Sequence, residues 1–304
     1  MRTRTKLWSS AAAVAALATT ALAVPASGTT PARQTAPTAL TNVNDFERPT
    51  AGRPYPLGEW AKDGWTAPWA LGMDNRAQIV DNTPAHSGTK SLRVLYPGGK
   101  IGPEDSGAQA PFQIPKANEY YLSFWVKFQS DFSWGTTEYA GKLGVGLAGG
   151  AACSGGQVCD GTNGFSSRFI WRTANGQAAL YYYHMGHEGQ YGDYTVLKDQ
   201  AGQDIYWPKG AWVNVAQRVK LNTVTGGQAN PDGEIEVFYN GRTAAKITGL
   251  RFVTNSDQID KAYWSSFAGG ATTNFAPKYD SSMWFDDIKV SPRRSDICEL
   301  NGGC

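Results

Sequence analysis

Apolar residues in this chain recur at every second position, in short runs that are bounded by Gly, Pro, Asn or Asp. A period of two places alternate side chains on opposite faces of a β-strand. The clearest runs are SLRVLY, YYLSFWVKF, SSRFIWR, ALYYYHM, WVNVAQRVKLN, EIEVFYNG and MWFDDIKV. No long stretch beyond the N-terminal region has the 3.6-residue period of an amphipathic helix. Many short antiparallel strands in one domain predict an all-β jelly-roll β-sandwich, in which one concave sheet forms a groove.

The stretch GFSSRFIWRTANGQAALYYYHM, residues 164–185, predicts a β-hairpin with a polar face. Asn175-Gly176 favours a two-residue type I′ turn, because both central residues of that turn need a positive φ. Counting outward from this turn pairs Arg168 with Tyr183. One face then carries the apolar set and faces the core: Phe165, Ser167, Phe169, Trp171, Leu180 and Tyr182. The other, which we call the polar face, carries Ser166, Arg168, Ile170, Arg172, Tyr181 and Tyr183.

The polar face combines groups that can hold an anion and move a proton. The guanidinium of Arg168 is a planar fork that suits a carboxylate, and Ser166 adds a hydroxyl two residues away. An unperturbed phenol has a pKa near 10, so that Tyr181 or Tyr183 can donate a proton at neutral pH. Beside cations a phenol is also easier to ionise and can act as a base. The alternative is that these side chains simply lie on a wet sheet face, with no catalytic role.

Lys142 lies in the glycine-rich segment EYAGKLGVGLAGG, which we expect to be a loop shortly before the hairpin. The segment is not a phosphate-binding P-loop, because Thr136 stands where the first glycine belongs and Leu143 where Ser or Thr would bind magnesium. The alternative for a lone lysine is an ordinary solvated side chain.

Glu234 and Glu236 alternate in DGEIEVFYNG and raise the alternative of a glycoside hydrolase, whose two carboxyl groups are about 5.5 Å apart. The turns that we expect at both ends of this strand place Ile235 and Val237 inside and both glutamates in solvent, which disfavours that alternative.

His184 and His187 have a helical spacing inside a segment that is not helical, so that a metal-binding pair is disfavoured. His184 is kept as a candidate substrate-binding residue or accessory base in the groove, and Arg172 as a second candidate substrate-binding residue.

Composition restricts the classes of partner. The chain has 304 residues, of which 41% are hydrophobic and 18% charged, and these values are typical of a globular protein. Its net charge is only +2, so that no global field favours nucleic acid or an anionic membrane. Affinity for a polyanion would have to come from a local cluster of cations. Nothing in the sequence implies an oligomer, and we expect a monomer.

The N-terminus has the parts of a secretory signal peptide, which we assign to residues 1–28. MRTRTK is the positive region, LWSSAAAVAALATTALAV the apolar region, and Ala-Leu-Ala or Val-Pro-Ala the cleavage site. A transmembrane anchor is disfavoured because the apolar run is rich in Ala, Ser and Thr and no second span follows. We assign residues 29–41 to a Pro/Thr/Ala-rich linker and residues 42–304 to one domain, and we expect a secreted, extracellular protein.

Four cysteines allow three disulfide connectivities. We expect local pairing, Cys153 with Cys159 and Cys298 with Cys304, because each pair closes a short loop that contains glycine. A structural zinc site is the alternative, but neither the spacing nor an oxidising compartment favours it.

Several of these segments together resemble one enzyme family. GKL at the Lys142 position, NGFSSRFIWR, LYYYHM, YGD, VKLNT, DGEIEVFYNG and FDDIKV are similar to the alginate and glucuronate lyases of polysaccharide lyase family 14, and more distantly to glucuronan lyases. The resemblance covers roughly residues 120–290. It implies a jelly roll that cleaves polyuronates by β-elimination without a required metal. Its catalytic residues would be Lys142, Arg168, Tyr181 and Tyr183, with Ser166 binding the substrate.

Two departures from the family pattern border the expected groove: a hairpin one residue longer and the Cys153/Cys159 loop. Both bear on substrate preference. No clear acidic loop supports a structural calcium ion.

The sequence therefore predicts a secreted polyuronate lyase of the alginate or glucuronan type, with an acidic polysaccharide as its partner. Arg168, with Ser166 and Lys142, would neutralise the uronate carboxylate. Tyr181 or Tyr183 would take and return the proton, while Lys142 either biases the pKa of the tyrosine or is itself the base. The alternatives are a non-catalytic carbohydrate-binding β-sandwich and the glycoside hydrolase that uses Glu234 and Glu236.

Overall fold

The computed structural model describes residues 42–301. The expected signal peptide and linker, and Cys304, lie outside the described residues. These residues contain two short α-helices, α1 (Leu57–Lys62) and α2 (Gly102–Asp105), and 3₁₀ turns at Thr273–Phe275, Arg294–Asp296 and Cys298–Leu300. The strands are β1 (Asn42–Asn44), β2 (Ala77–Val80), β3 (Ser91–Tyr96), β4 (Ala108–Ala117), β5 (Glu119–Phe128), β6 (Ala140–Gly149), β7 (Phe165–Arg172), β8 (Gln177–Tyr183), β9 (Asp193–Val196), β10 (Trp212–Lys220), β11 (Val224–Thr225), β12 (Gln228–Ala229), β13 (Gly233–Tyr239), β14 (Arg242–Leu250), β15 (Ile259–Ala268) and β16 (Ser281–Ser291).

The strands form two large antiparallel sheets, which confirms the predicted all-β sandwich. One sheet has eight strands in the order β14-β13-β10-β5-β16-β3-β2, with β1 paired to β16. The other has six strands in the order β4-β15-β6-β7-β8-β9. Aromatic side chains fill the space between the sheets: the ring centroids of Phe124 and Phe169 are 5.7 Å apart, and those of Trp264 and Phe285 are 4.9 Å apart. The six-stranded sheet carries the polar face on its other side.

The hairpin β7–β8 has the predicted faces but not the predicted turn. Its connection is four residues long, from Thr173 to Gly176, so that Arg168 pairs with Tyr181 rather than with Tyr183. The register slip is two residues, and side chains alternate with a period of two, so both faces keep their composition. Gly176 is needed for a close approach, because a Cβ there would lie 2.4 Å from the ring of Trp134.

The glycine-rich segment around Lys142 is not the expected loop but strand β6, which pairs with β7 and β15. Its glycines let other groups approach the strand closely. A Cβ at Gly141 would lie 1.9 Å from the ring of Trp171, and one at Gly146 would lie 2.2 Å from the carbonyl oxygen of Ser167. Glycine in a strand therefore marks close packing at this position rather than a flexible segment.

Cys153 and Cys159 form a disulfide bond, as predicted. Because Cys304 is outside the described residues, its pairing with Cys298 stays a prediction. Among residues 42–301, no helix is long and apolar enough to cross a membrane.

Candidate active site

Three neighbouring strands bring the predicted catalytic residues together. Arg168 in β7 lies directly opposite Tyr181 in β8, and Ser166 lies opposite Tyr183. On the other side of β7, Lys142 in β6 pairs with Ile170, which lies two residues after Arg168 in β7. Because all these positions have the same parity, their side chains leave the sheet on the polar face. Most of this face is buried, so it is not the wet sheet face of the alternative interpretation.

Arg168 is a buried cation without a counter-ion among residues 42–301. Its side chain is 4% exposed, and its Cζ lies 5.6, 5.9 and 5.8 Å from the ring centroids of Tyr181, Tyr183 and Tyr263. Its Nη2 donates a long hydrogen bond of 3.5 Å to Ser166 Oγ, and its Nε has no hydrogen-bond partner. Burial lowers the pKa of the guanidinium, but arginine stays charged at neutral pH. An uncompensated buried charge is costly, and an anionic ligand would relieve that cost.

Lys142 is a half-buried amine beside this cation. Its Nζ lies 5.8 Å from the ring centroid of Tyr181 and 5.1 Å from that of Phe267. Burial, with a smaller contribution from the positive charge of Arg168, lowers the pKa of Lys142 to about 7. A large fraction of the amine is therefore neutral near pH 7 and can accept a proton.

The two tyrosines have different environments. Tyr183 is fully buried, and its Oη accepts a hydrogen bond of 2.8 Å from the backbone N–H of Gly156. Tyr181 is half-buried, and its Oη lies 3.0 Å from that of Tyr183. Burial, and then the hydroxyl of Tyr183, raise the pKa of Tyr181, so that its phenol stays protonated at neutral pH. Of the two phenols, Tyr181 is the more accessible proton donor.

The disulfide loop, residues 153–159, covers one end of the site. Besides the bond from Gly156 to Tyr183, the carbonyl oxygen of Cys153 accepts a hydrogen bond of 2.8 Å from Ser166 Oγ. The hydroxyl proton of Ser166 is therefore engaged by the loop, while its oxygen faces Arg168. Cys153, Cys159 and Tyr183 also form a small buried cluster with Tyr181 packed against it. The loop holds groups on both β7 and β8.

The side chains of the other two predicted substrate-binding residues, Arg172 and His184, contact other groups. Arg172 ends β7, and its Cζ lies 3.5 Å from the ring centroid of Tyr194 in β9. His184 follows β8, and its Nε2 lies 2.8 Å from a carboxylate oxygen of Asp193. No hydrogen bond or ring contact in the described part of the chain joins either side chain to Lys142, Arg168 or Tyr181.

The site includes two residues that the sequence analysis did not predict, Tyr263 and Gln109. Tyr263 in β15 lies on the far side of Arg168, and its Oη accepts a hydrogen bond of 2.8 Å from Gln109 Nε2 in β4. Burial raises the pKa of Tyr263, which keeps the phenol neutral. Alternation in IDKAYWSSFA could have indicated strand β15, but nothing local indicates that it neighbours β6.

Glu234 and Glu236 lie on β13, in the other sheet. Glu234 Oε2 forms an ion pair of 2.9 Å with Arg218 Nη1, and this contact lowers the pKa of Glu234. A glycosidase needs one carboxylic acid with a raised pKa. The geometry does not fit the hydrolase alternative. No group of three His, Cys, Asp or Glu within residues 42–301 is arranged to hold a metal ion.

Comparison with known proteins identifies the class: the protein is a polysaccharide lyase. The model of the polysaccharide lyase 14 family matches residues 84–288, which is more than half of the chain, and the chain belongs to this family. The resemblance stated from the sequence motifs is thereby confirmed. A search of curated proteins found no significant match.

Solved structures of alginate lyases have a similar fold. A double mutant of the alginate lyase Aly36B in complex with an alginate trisaccharide is 26% identical, with a TM-score of 0.68 over 84% of this chain and 98% of that chain. The marine PL-14 alginate lyase from Aplysia kurodai is 22% identical, with a TM-score of 0.61 over 79% and 96% of the two chains. The endo-β-1,4-glucuronan lyase from the fungus Trichoderma reesei is more distant, at 12% identity over 76% of this chain and 93% of that chain, with a TM-score of 0.49.

Proposed function

We propose that this protein is a secreted lyase that cleaves an acidic polysaccharide of the alginate or glucuronan type by β-elimination. The observation that carries the proposal is the buried guanidinium of Arg168, which has no carboxylate partner among residues 42–301 and lies beside an amine with a lowered pKa and two phenols. A uronate carboxylate would complete this arrangement. The substrate class is supported by Aly36B, whose structure was solved with an alginate trisaccharide.

Arg168 would bind the carboxylate at C5 of the uronate residue. Neutralising that negative charge makes the C5 proton more acidic and stabilises the charge that develops when the proton leaves. The phenols of Tyr181, Tyr183 and Tyr263 surround the guanidinium and keep water from competing for it. Low solvent exposure strengthens the pairing between guanidinium and carboxylate.

Lys142 would act as the base and Tyr181 as the acid. The neutral Nζ of Lys142 takes the C5 proton, the C5–H electrons form the C4–C5 double bond, and the C4–O4 bond breaks. Tyr181 Oη gives its proton to the leaving O4 and becomes a phenolate, which the cations of Arg168 and protonated Lys142 stabilise. Transfer of the proton from Lys142 to Tyr181 then restores the starting state. Tyr183, fixed by Gly156, would hold Tyr181 in place.

Incubation with a panel of polyuronates, including alginate and glucuronan, tests the proposal. The wild-type protein should form an unsaturated product that absorbs in the ultraviolet. Arg168→Ala should lower the rate by about 10²–10³-fold, because it removes the electrostatic stabilisation. Tyr181→Phe should lower the rate by about 10²–10⁴-fold, because it removes the acid.

Circular dichroism of both variants should match that of the wild type. Polysaccharide binding without any absorbing product would instead support a non-catalytic binding module. Saturated reducing ends would support a hydrolase. Either result contradicts the proposal.

A further inference from the structure

The polar face carries a second cation, Arg172, which the elimination mechanism does not use. Arg172 is half-buried at the end of β7, and its guanidinium lies 3.5 Å from the ring centroid of Tyr194. Within residues 42–301 no ion pair of its guanidinium with a carboxylate is present. The carboxylate of Asp204, beside this end of the sheet, is held by Lys198 and by Gln177 Nε2.

Strand register places Arg172 on the same side of the sheet as Arg168. The Cα atoms of the two residues are four positions apart on one strand, roughly 13 Å along an extended chain. The ring of Tyr194, however, lies in the same row as Arg168, two strands away, or roughly 10 Å across the sheet. Tyr194 in β9 pairs with Tyr181 in β8, so that its ring also leaves the sheet on the polar face. Between Arg172 and Tyr194, position 179 of β8 carries only a methyl group, which leaves room for the contact.

The two guanidinium groups reach in different directions. That of Arg168 lies among rings on β8 and on β15, whereas that of Arg172 crosses β8 to a ring on β9. Tyr194 is 49% exposed, so that the Arg172–Tyr194 pair is open to solvent, unlike Arg168. Stacking on an aromatic ring holds a guanidinium in one plane and leaves its N–H donors free for a carboxylate.

We infer that Arg172, held on the ring of Tyr194, is a subsite for a second uronate carboxylate, on a sugar residue other than the one that is cleaved. This inference rests on the proposed function, since the ligand is the same polyuronate chain. A polyuronate presents one carboxylate on every residue, so that a chain bound at Arg168 carries further carboxylates along the polar face. Arg172 therefore makes the enzyme prefer long chains to short ones.

Kinetics on polyuronate oligosaccharides of defined length test the subsite. With Arg172→Gln, kcat/KM on long oligosaccharides should fall about fivefold through KM, the size expected for a solvent-exposed ion pair. On the shortest oligosaccharide that the wild type cleaves, kcat/KM should stay unchanged. Arg172→Lys keeps the positive charge but loses the planar stack on Tyr194. Its kcat/KM on long oligosaccharides should lie between the values of the wild type and of Arg172→Gln.

Arg242→Gln is the matched control, because it removes one exposed cation from β14 in the other sheet. It should leave the length dependence unchanged. Equal losses on long and short substrates with Arg172→Gln, or no loss on either, would overturn the inference. If the wild type forms no unsaturated product, the proposed function is wrong, and the subsite is judged by binding: weaker binding of long oligosaccharides by Arg172→Gln supports it, and unchanged binding overturns it.

Discussion

At the scale of single residues, the buried charge of Arg168 lowers the stability of the fold and thereby marks the position of the candidate site. Removing an ion from water costs several kcal/mol even after the protein relaxes, and here no carboxylate in the described part of the chain offsets it. The ring faces of the surrounding phenols and the hydroxyl oxygen of Ser166 offset this cost only in part. A substrate carboxylate can supply the missing partner.

The proposed role of Lys142 as the base predicts a pH dependence with a definite sign. Its pKa is lowered to about 7, so that the amine is protonated and inactive as a base below that pH. We expect kcat/KM to rise about tenfold per pH unit below pH 7 and to level off above it. A bound carboxylate favours the ammonium form, so that the corresponding limb of kcat should lie at higher pH than that of kcat/KM. Rate profiles on one polyuronate measure both.

Lys142→Ala should remove this limb from the residual activity and lower the rate by about 10²–10⁴-fold. Lys246→Ala, which removes an exposed lysine of β14, is the control and should keep the wild-type profile. The assignment of Lys142 as the base is wrong if the limb near pH 7 persists in Lys142→Ala.

Residue types and strand parity were enough to predict which side chains of the candidate site share one face of the sheet. Ser166, Arg168, Tyr181 and Tyr183 share one face because their positions have the right parity in two strands joined by a short turn. Tyr263 could not be predicted in the same way. It comes from a strand that is more than a hundred residues away in sequence from β6, and parity within one strand says nothing about which strand lies beside it.

At the scale of elements, packing overrides local sequence signals. Asn175-Gly176 is a strong turn signal, yet Gly176 is required by the ring of Trp134, and the turn is two residues longer than predicted. The glycines of β6 have the composition of a loop but serve close contacts with β7. Strand β4 contains two prolines, which are tolerated because it lies at the edge of its sheet.

Removing the disulfide bond that closes the loop of residues 153–159 should lower the rate of catalysis even where the protein stays folded. Replacing Cys153 and Cys159 with serine opens a loop with a sequence separation of 6, which should cost roughly 2 kcal/mol of stability. The hydrogen bonds to Tyr183 and Ser166 would then loosen. We expect the rate to fall at least about tenfold at temperatures where the variant stays folded, because small displacements of catalytic groups are costly.

Thermal unfolding and rate measurements on the same double variant separate the two effects. A lower Tm with full activity well below it would show that the loop stabilises the fold without positioning Tyr183. The reference for both measurements is the wild-type protein with its disulfide bond intact.

At the scale of the whole molecule, the eight-stranded sheet supports the site from the core side. Its β5 packs on β7 through Phe124 and Phe169, and Gln217 in β10 accepts a hydrogen bond of 2.6 Å from Ser167. These contacts hold the core face of β7, so that Arg168 on the alternate face cannot turn inward. The alternation of apolar positions was sufficient to predict this sandwich. The order of the strands was not predictable, because it depends on long-range pairing.

The most direct test of the account is the mass of the products released from a polyuronate oligosaccharide of defined length. β-Elimination adds no water, so that the fragment with the new non-reducing end should be lighter than the hydrolysis product by one water molecule and should absorb in the ultraviolet. This is the result we predict, and Arg168→Ala should form that fragment far more slowly. Fragments that carry the added water and show no absorbance would contradict the account.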